Sequence, residues 1–348
     1  MIKNIHVKKL IYLICALGIL SCKEQLPVIK PTLITDKTPN DTDDPAIWVN
    51  RENPEESIVF GTDKGEQDQP DSGIYAFDLD GKLIPEKSIT GLIRTNNADV
   101  EYDFKLNDSV HTDILAFTER GRRQIRVFSV PDMKPLDNGG FKVFEDADDS
   151  NPEFRQPMGI SIYRNPETGR VYVIVGRKNG PAEDYLYQYE LISDPTGVRT
   201  DLVRKFGRFS GKKEIEAIAV DDALGYIYYC DEQEGIRKYY ADPSKGNEEL
   251  AFFGGEYFTD DNEGIAIAAY PDGEGYIIVS DQGAHAFNFF RRSDNTFVKA
   301  LNLGTLSTDG CEITMESLGS KFPNGLFVSM NDERDFFYHA VDSLKLDK

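Results

Sequence analysis

The chain has 348 residues and is strongly acidic, with 60 Asp and Glu against 39 Lys and Arg and a net charge of −21. A field of that sign repels nucleic acid and anionic membrane surfaces, so neither is expected as a partner. The four histidines stand in no metal-ligand spacing, and no G-x-S-x-G elbow, phosphate loop or C-x-x-C is present.

Residues 1–22 read as a processing segment. Lys3, Lys8 and Lys9 supply a positive start, and Leu10 to Leu20 an apolar stretch too short to span a membrane comfortably. The run Ile19-Leu20-Ser21-Cys22 resembles a bacterial lipobox, in which Cys22 becomes the lipidated N-terminus. An ordinary secretory signal is the alternative. Residues 23–36 then read as a tether and 37–348 as one body. The expectation is an exported, monomeric protein held to the bacterial envelope only through its lipid. Whether Cys230 and Cys311 form a disulfide is open at this level.

The body repeats one pattern. Asp44-Pro45-Ala46-Ile47-Trp48-Val49 leads to Ser57–Gly61 and then Gly73–Phe77. A weaker copy starts near Asp99, and the next runs from Met158–Ile162 through Val171–Val175 to Tyr185–Tyr189. The clearest copy is Glu214 to Tyr240. It places an alternating strand, the turn Asp221–Gly225, the strand Tyr226–Cys230, an acidic loop and a third strand in succession. Further copies begin at Glu263 and Asp309. Six antiparallel meanders, spaced by roughly 46 to 59 residues, predict an all-β, six-bladed β-propeller.

Carboxylates recur at the strand ends: Asp43 and Asp44, Glu216, Glu232, Asp261, Glu263 and Asp309, with Gln282 in the same series. In a propeller these ends ring one mouth of the channel, where unneutralised carboxylates repel one another. Oxygen ligands without His or Cys favour hard cations, above all Ca²⁺. Lys64, Arg120 and Lys178 follow the second strands of the first three blades, where the fourth and fifth carry Glu232 and Gln282. A mouth with metal on one side and cations on the other suits a ligand bearing several phosphates. Taken singly, each carboxylate is equally well read as a turn or surface residue, and each of the three cations is better read as a solvated surface charge.

Several segments resemble the β-propeller phytases, calcium-dependent phosphatases of inositol hexakisphosphate. They are Asp43–Trp48, Gly73–Lys82, Asp231–Ile236, Glu263-Gly264, Ser280–Gly283 and Pro323–Val328, in family order. The resemblance implies that Asp43, Glu216, Glu232, Asp261, Glu263 and Gln282 hold catalytic metals and the attacking water. Glu216, Glu232, Asp261 and Glu263 carry the catalysis in this reading. It further implies that Asp44 and Asp309 serve structural calcium sites, that Lys64, Arg120 and Lys178 bind phosphate, and that several Ca²⁺ ions bind in all. Three departures stand out: Met158 where the family has Tyr, Ser329–Asp332 in place of a Gln-Asp-Gly run, and Lys64 alone where two lysines are common. A calcium-dependent propeller lactonase or phosphotriesterase, and a non-catalytic binding propeller, are the rival classes.

Overall fold

The computed structural model describes residues 26–346. Six four-stranded antiparallel sheets form the propeller. Their innermost strands are Thr42–Trp48, Thr95–Lys105, Pro157–Arg164, Ile218–Asp221, Ile265–Ala269 and Cys311–Thr314, in the order the repeat predicts. Each blade also has a fourth, outer strand that the three-strand pattern did not include, such as Ile89–Leu92 or Ala251–Phe253. Most are short and partly exposed, as these two are, and the longer Gly197–Phe206 carries polar and charged residues, so they lack the apolar signature of a buried strand.

The strands are apolar on both faces because every blade is covered on both sides. Six hydrophobic clusters sit one at each blade–blade interface. Between the first and second blades, for example, Trp48, Phe60 and Ile74 meet Leu115, Phe117 and Phe128. Burial of such side chains stabilises by roughly 1.5–3 kcal/mol each.

The segment read as a tether is in part structural. Leu33–Ile34 is the outer strand of the last blade, paired with Asp335–Ala340, and Thr32 N donates to Tyr338 O at 2.8 Å. Val28 bridges Asn302 as well. The described N-terminal segment thus closes the ring on the last blade by pairing with the outer edge of Asp335–Ala340. That pairing joins residues some 300 positions apart, which no local pattern encodes. Residues 1–22, with Cys22, lie outside the described residues. Cys230 and Cys311 are both buried free thiols, so no disulfide joins them.

One glycine sets how closely two blades approach. A Cβ on Gly159 would lie 1.9 Å from the carbonyl oxygen of Glu216, in the segment leading into the next blade's inner strand. Gly159→Ala is expected to cost about 1–3 kcal/mol through overpacking. Urea unfolding followed by the fluorescence of Trp48, the chain's single tryptophan, measures it.

Candidate active site

The mouth is built by one hydrogen bond repeated in all six blades. The backbone N–H just after each second strand donates to a carbonyl just ahead of that blade's inner strand. The pairs are Lys64 N to Asp41 O (2.7 Å), Arg120 N to Arg94 O (2.9 Å) and Lys178 N to Gln156 O (2.8 Å). They continue with Glu232 N to Glu214 O (3.4 Å), Gln282 N to Asp261 O (3.0 Å) and Asp332 N to Leu306 O (3.1 Å). Residues two and three places further on lie in a register shift of the inner strand in the first three blades. Such bulges re-aim neighbouring side chains.

A cleft of about 580 Å³ results, lined among others by Lys64, Arg120, Lys178, Glu216, Gln282 and Asp309. Glu263 also lines it, and the buried Asp43, Glu232 and Asp261 lie beside lining residues. Lys64 Nζ lies 3.0 Å from Asp43 Oδ1 and 2.7 Å from Asp309 Oδ2. Burial opposes its charge, but Asp43, Asp309 and Glu216 outweigh burial and raise its pKa well above the usual lysine value. Asn96 Nδ2 donates to Asp43 Oδ2 at 2.8 Å and to Glu216 Oε1 at 3.2 Å. Gln282 Nε2 donates to Glu263 Oε2 at 2.6 Å and Asp309 Oδ1 at 3.0 Å.

Continuous with these, through Glu216 and Glu263, lies a dense carboxylate cluster. Glu214, Glu216 and Glu232 each offer an oxygen within 4.8 Å of the others', and so do Glu232, Asp261 and Glu263. Both oxygens of Glu232 are buried and make no hydrogen bond. Burial, then the neighbouring Glu214 carboxylate, pushes its pKa up to about 8. Burial, then Asp309, pushes Glu263 up to about 11, and burial beside Asp43 raises Glu216 well above the usual range. The Lys213 ammonium sits among Asp261, Glu232 (3.6 Å) and Glu263 (3.9 Å), and Gln233 Nε2 donates to Asp261 Oδ1 at 2.8 Å. Lys213 neutralises part of this cluster, and the converging carboxylates, with both Glu232 oxygens unpartnered, could hold a hard divalent cation.

Of the residues expected from sequence, Asp44 faces elsewhere. It accepts from Ala98 N at 3.1 Å and lines the axial channel with Asp99, Asp222 and Glu312. Met158 does line the cleft, and its sulfur receives Arg120 Nη1 at 2.8 Å, a weak acceptor against a guanidinium. Asn331, in the departing loop, is structural: its amide donates to Asp335 and accepts from Leu306 N. Sequence reasoning missed Arg94, Asn96, Lys213 and Glu214. Lys178 is ion-paired to Glu214. The blade-by-blade equivalence of Asp41, Arg94, Gln156, Glu214 and Asp261 was the signal that could have found Arg94 and Glu214.

Comparison with known proteins agrees with this geometry. A profile of the phytase family matches residues 24–338. The chain is 32% identical over 304 residues to a 3-phytase of Bacillus subtilis (strain 168), an overlap covering 84% of this chain and 74% of that protein. With a match of that extent laid over six complete blades, the chain belongs to the phytase family.

Proposed function

We propose that the protein hydrolyses phosphomonoesters of phytate or a closely related polyphosphorylated compound, with several Ca²⁺ ions as cofactor. The observation that carries this reading is the division of a single cleft: cations follow the second strand in blades one to three, and carboxylates cluster in blades four and five. Glu216, Glu232, Asp261 and Glu263 would hold the ions, with Glu214 and Gln282 beside them; Asp43 and Asp309 anchor the Lys64 side of the wall. Held there, calcium would supply neutralising charge and make a bound water more acidic. Lys64, Arg120 and Lys178 take the phosphate oxygens, whose negative charge their donors offset as the bond to the leaving oxygen breaks. Gln282 orients Glu263 and Asp309 through its amide, and Asn96 does the same for Asp43 and Glu216. No side chain is needed as a covalent phosphate carrier.

The decisive experiment is release of inorganic phosphate from phytate by the purified protein, with calcium and after chelation. Release is expected with calcium and its loss on chelation. No release in either condition from folded protein would leave a binding propeller instead. The sequence further supports an exported monomer anchored through a lipid on Cys22, which mass spectrometry of the mature N-terminus tests.

A further inference from the structure

The repeated hydrogen bond ties two residues together through their backbones in each blade, and the charges of the pair differ from blade to blade. In the first, Asp41 and Lys64 are opposite charges, 4.0 Å apart. In the fourth, Glu214 and Glu232 are both acidic, and this like-charged pair belongs to the carboxylate cluster that calls for a cation. In the second blade the pair is Arg94 and Arg120, both basic.

We propose that Arg94 is a phosphoryl-binding residue of the cleft, and that its guanidinium and that of Arg120 grip one phosphoryl group of the substrate together. The proposal rests on the phytate reading above and adds a residue to it. Lys64 and Lys178, the other cations lining the cleft, are each ion-paired to carboxylates. Arg94 and Arg120 have no carboxylate partner among the described residues, in a chain of net charge −21. Arg94 uses one donor, Nη1 to Gly65 O at 2.9 Å, and its Nε is buried with no partner. Arg120 spends Nη1 on the Met158 thioether. Both side chains line the cleft.

Two adjacent guanidinium groups repel, so the backbone must hold them together. Arg120 N donates to Arg94 O and Gly121 N to Ile93 O at 3.0 Å, while Ile93 N donates to Glu119 Oε1. Thr95, the next residue, is fixed by Ser72 Oγ and Asp63 O. A Cβ on Gly121 would lie 2.8 Å from Ile93 O, so the two loops could not approach this closely with a larger residue there. Arg94 itself adopts a left-handed backbone (φ 55°), a conformation that costs free energy in any residue but glycine. The proximity of Arg94 is felt at Arg120, whose pKa is lowered by burial first and by Arg94 second. A rigid frame that holds two unpaired cations side by side in an acidic protein is matched by a dianion with several oxygens, and a phosphoryl group offers one to each fork.

The test uses the full-length, calcium-loaded protein and two readouts. One is the KM for phytate; the other is calorimetric binding of myo-inositol hexasulfate, a polyanion of the same ring that carries no phosphate to release. Arg94→Gln, which keeps a donor for Gly65 O, is expected to raise KM and weaken hexasulfate binding by roughly 10- to 100-fold, the range for losing a charged hydrogen bond. Arg94→Lys should recover part of the loss, since it restores the charge but not the fork. Arg94→Gln with Arg120→Gln should lose little more than either alone, because both act on one group. Additive losses would place the two arginines on separate groups and overturn the shared grip. Unchanged KM and hexasulfate affinity in Arg94→Gln, with normal phytate turnover by the wild type, would overturn the proposal and leave the phosphatase reading standing. Arg94-dependent hexasulfate binding in a wild-type protein that releases no phosphate would do the reverse. Should Arg94→Gln fail to fold, Arg94→Lys carries the same comparison through its partial loss.

Discussion

Glu232→Gln is expected to fold normally and to lose turnover on phytate by about 10²- to 10³-fold, the scale of removing one preorganised electrostatic contribution to a transition state. The amide preserves the volume of a fully buried side chain and removes its charge. The loss should appear in kcat at saturating calcium, because the oxygens of Glu232 are shared between both carboxylate triads. Folding should not suffer. The Glu232 carboxylate makes no hydrogen bond, and its nearest described cation, Lys213, is 3.6 Å away on a side chain 36% exposed. Removing one of several mutually repelling charges leaves the metal-free protein as stable as before or more so. Near-wild-type kcat in this variant would take Glu232 out of the catalytic machinery.

Removal of calcium is expected to lower Tm appreciably, with a larger drop at pH 8 than at pH 5.5. The sign follows from the raised carboxyl pKa values of the cluster. Glu232 titrates near 8 in the folded, metal-free protein and near the ordinary 4.5 when unfolded. Between those values the unfolded chain holds fewer protons than the folded one, so metal-free stability falls as pH rises. Glu263, pushed to about 11, acts in the same direction over a wider range. Calcium bound to the ionised cluster would offset this repulsion, and its contribution would grow with the charge it neutralises. Differential scanning calorimetry with and without chelator, at both pH values and with metal content measured, tests the expectation. A Tm that ignores chelation would mean that the cluster's charge is balanced by the protein's own cations, Lys213 and Lys64 among them.

The contrast between Asp43 and Asp44 shows how far a sequence pattern reaches. Both stand in the one segment, Asp43–Trp48, that most resembles the family; only the resemblance, and no local pattern, gave them different roles, a catalytic metal for Asp43 and a structural calcium for Asp44. In the folded chain Asp43 meets Lys64 and Asn96 at the mouth, whereas Asp44 turns to the axial channel and the backbone of Ala98. A bulge between Thr42 and Pro45 sets that divergence, and it depends on pairing with the second strand.

What the sequence by itself determined is the blade: its apolar strands, its turns and its sixfold recurrence. Those follow from local rules, since a strand buried on both faces must be apolar throughout and a meander must turn on Gly, Asp and Asn. The position of Lys64, Arg120, Lys178, Glu232 and Gln282 after each second strand was legible for the same reason. Only the tertiary structure decided which charges meet. Asn96 reaches Glu216 across 120 positions, Lys64 reaches Asp309 across 245, and Leu33 pairs with Tyr338 to close the ring. Arg94 and Lys213 sit in stretches with no motif, and their neighbours come from other strands or other blades. Electrostatic partnership falls off over a few ångströms in space and is blind to separation along the chain, so a charge pattern read in one dimension cannot assign it.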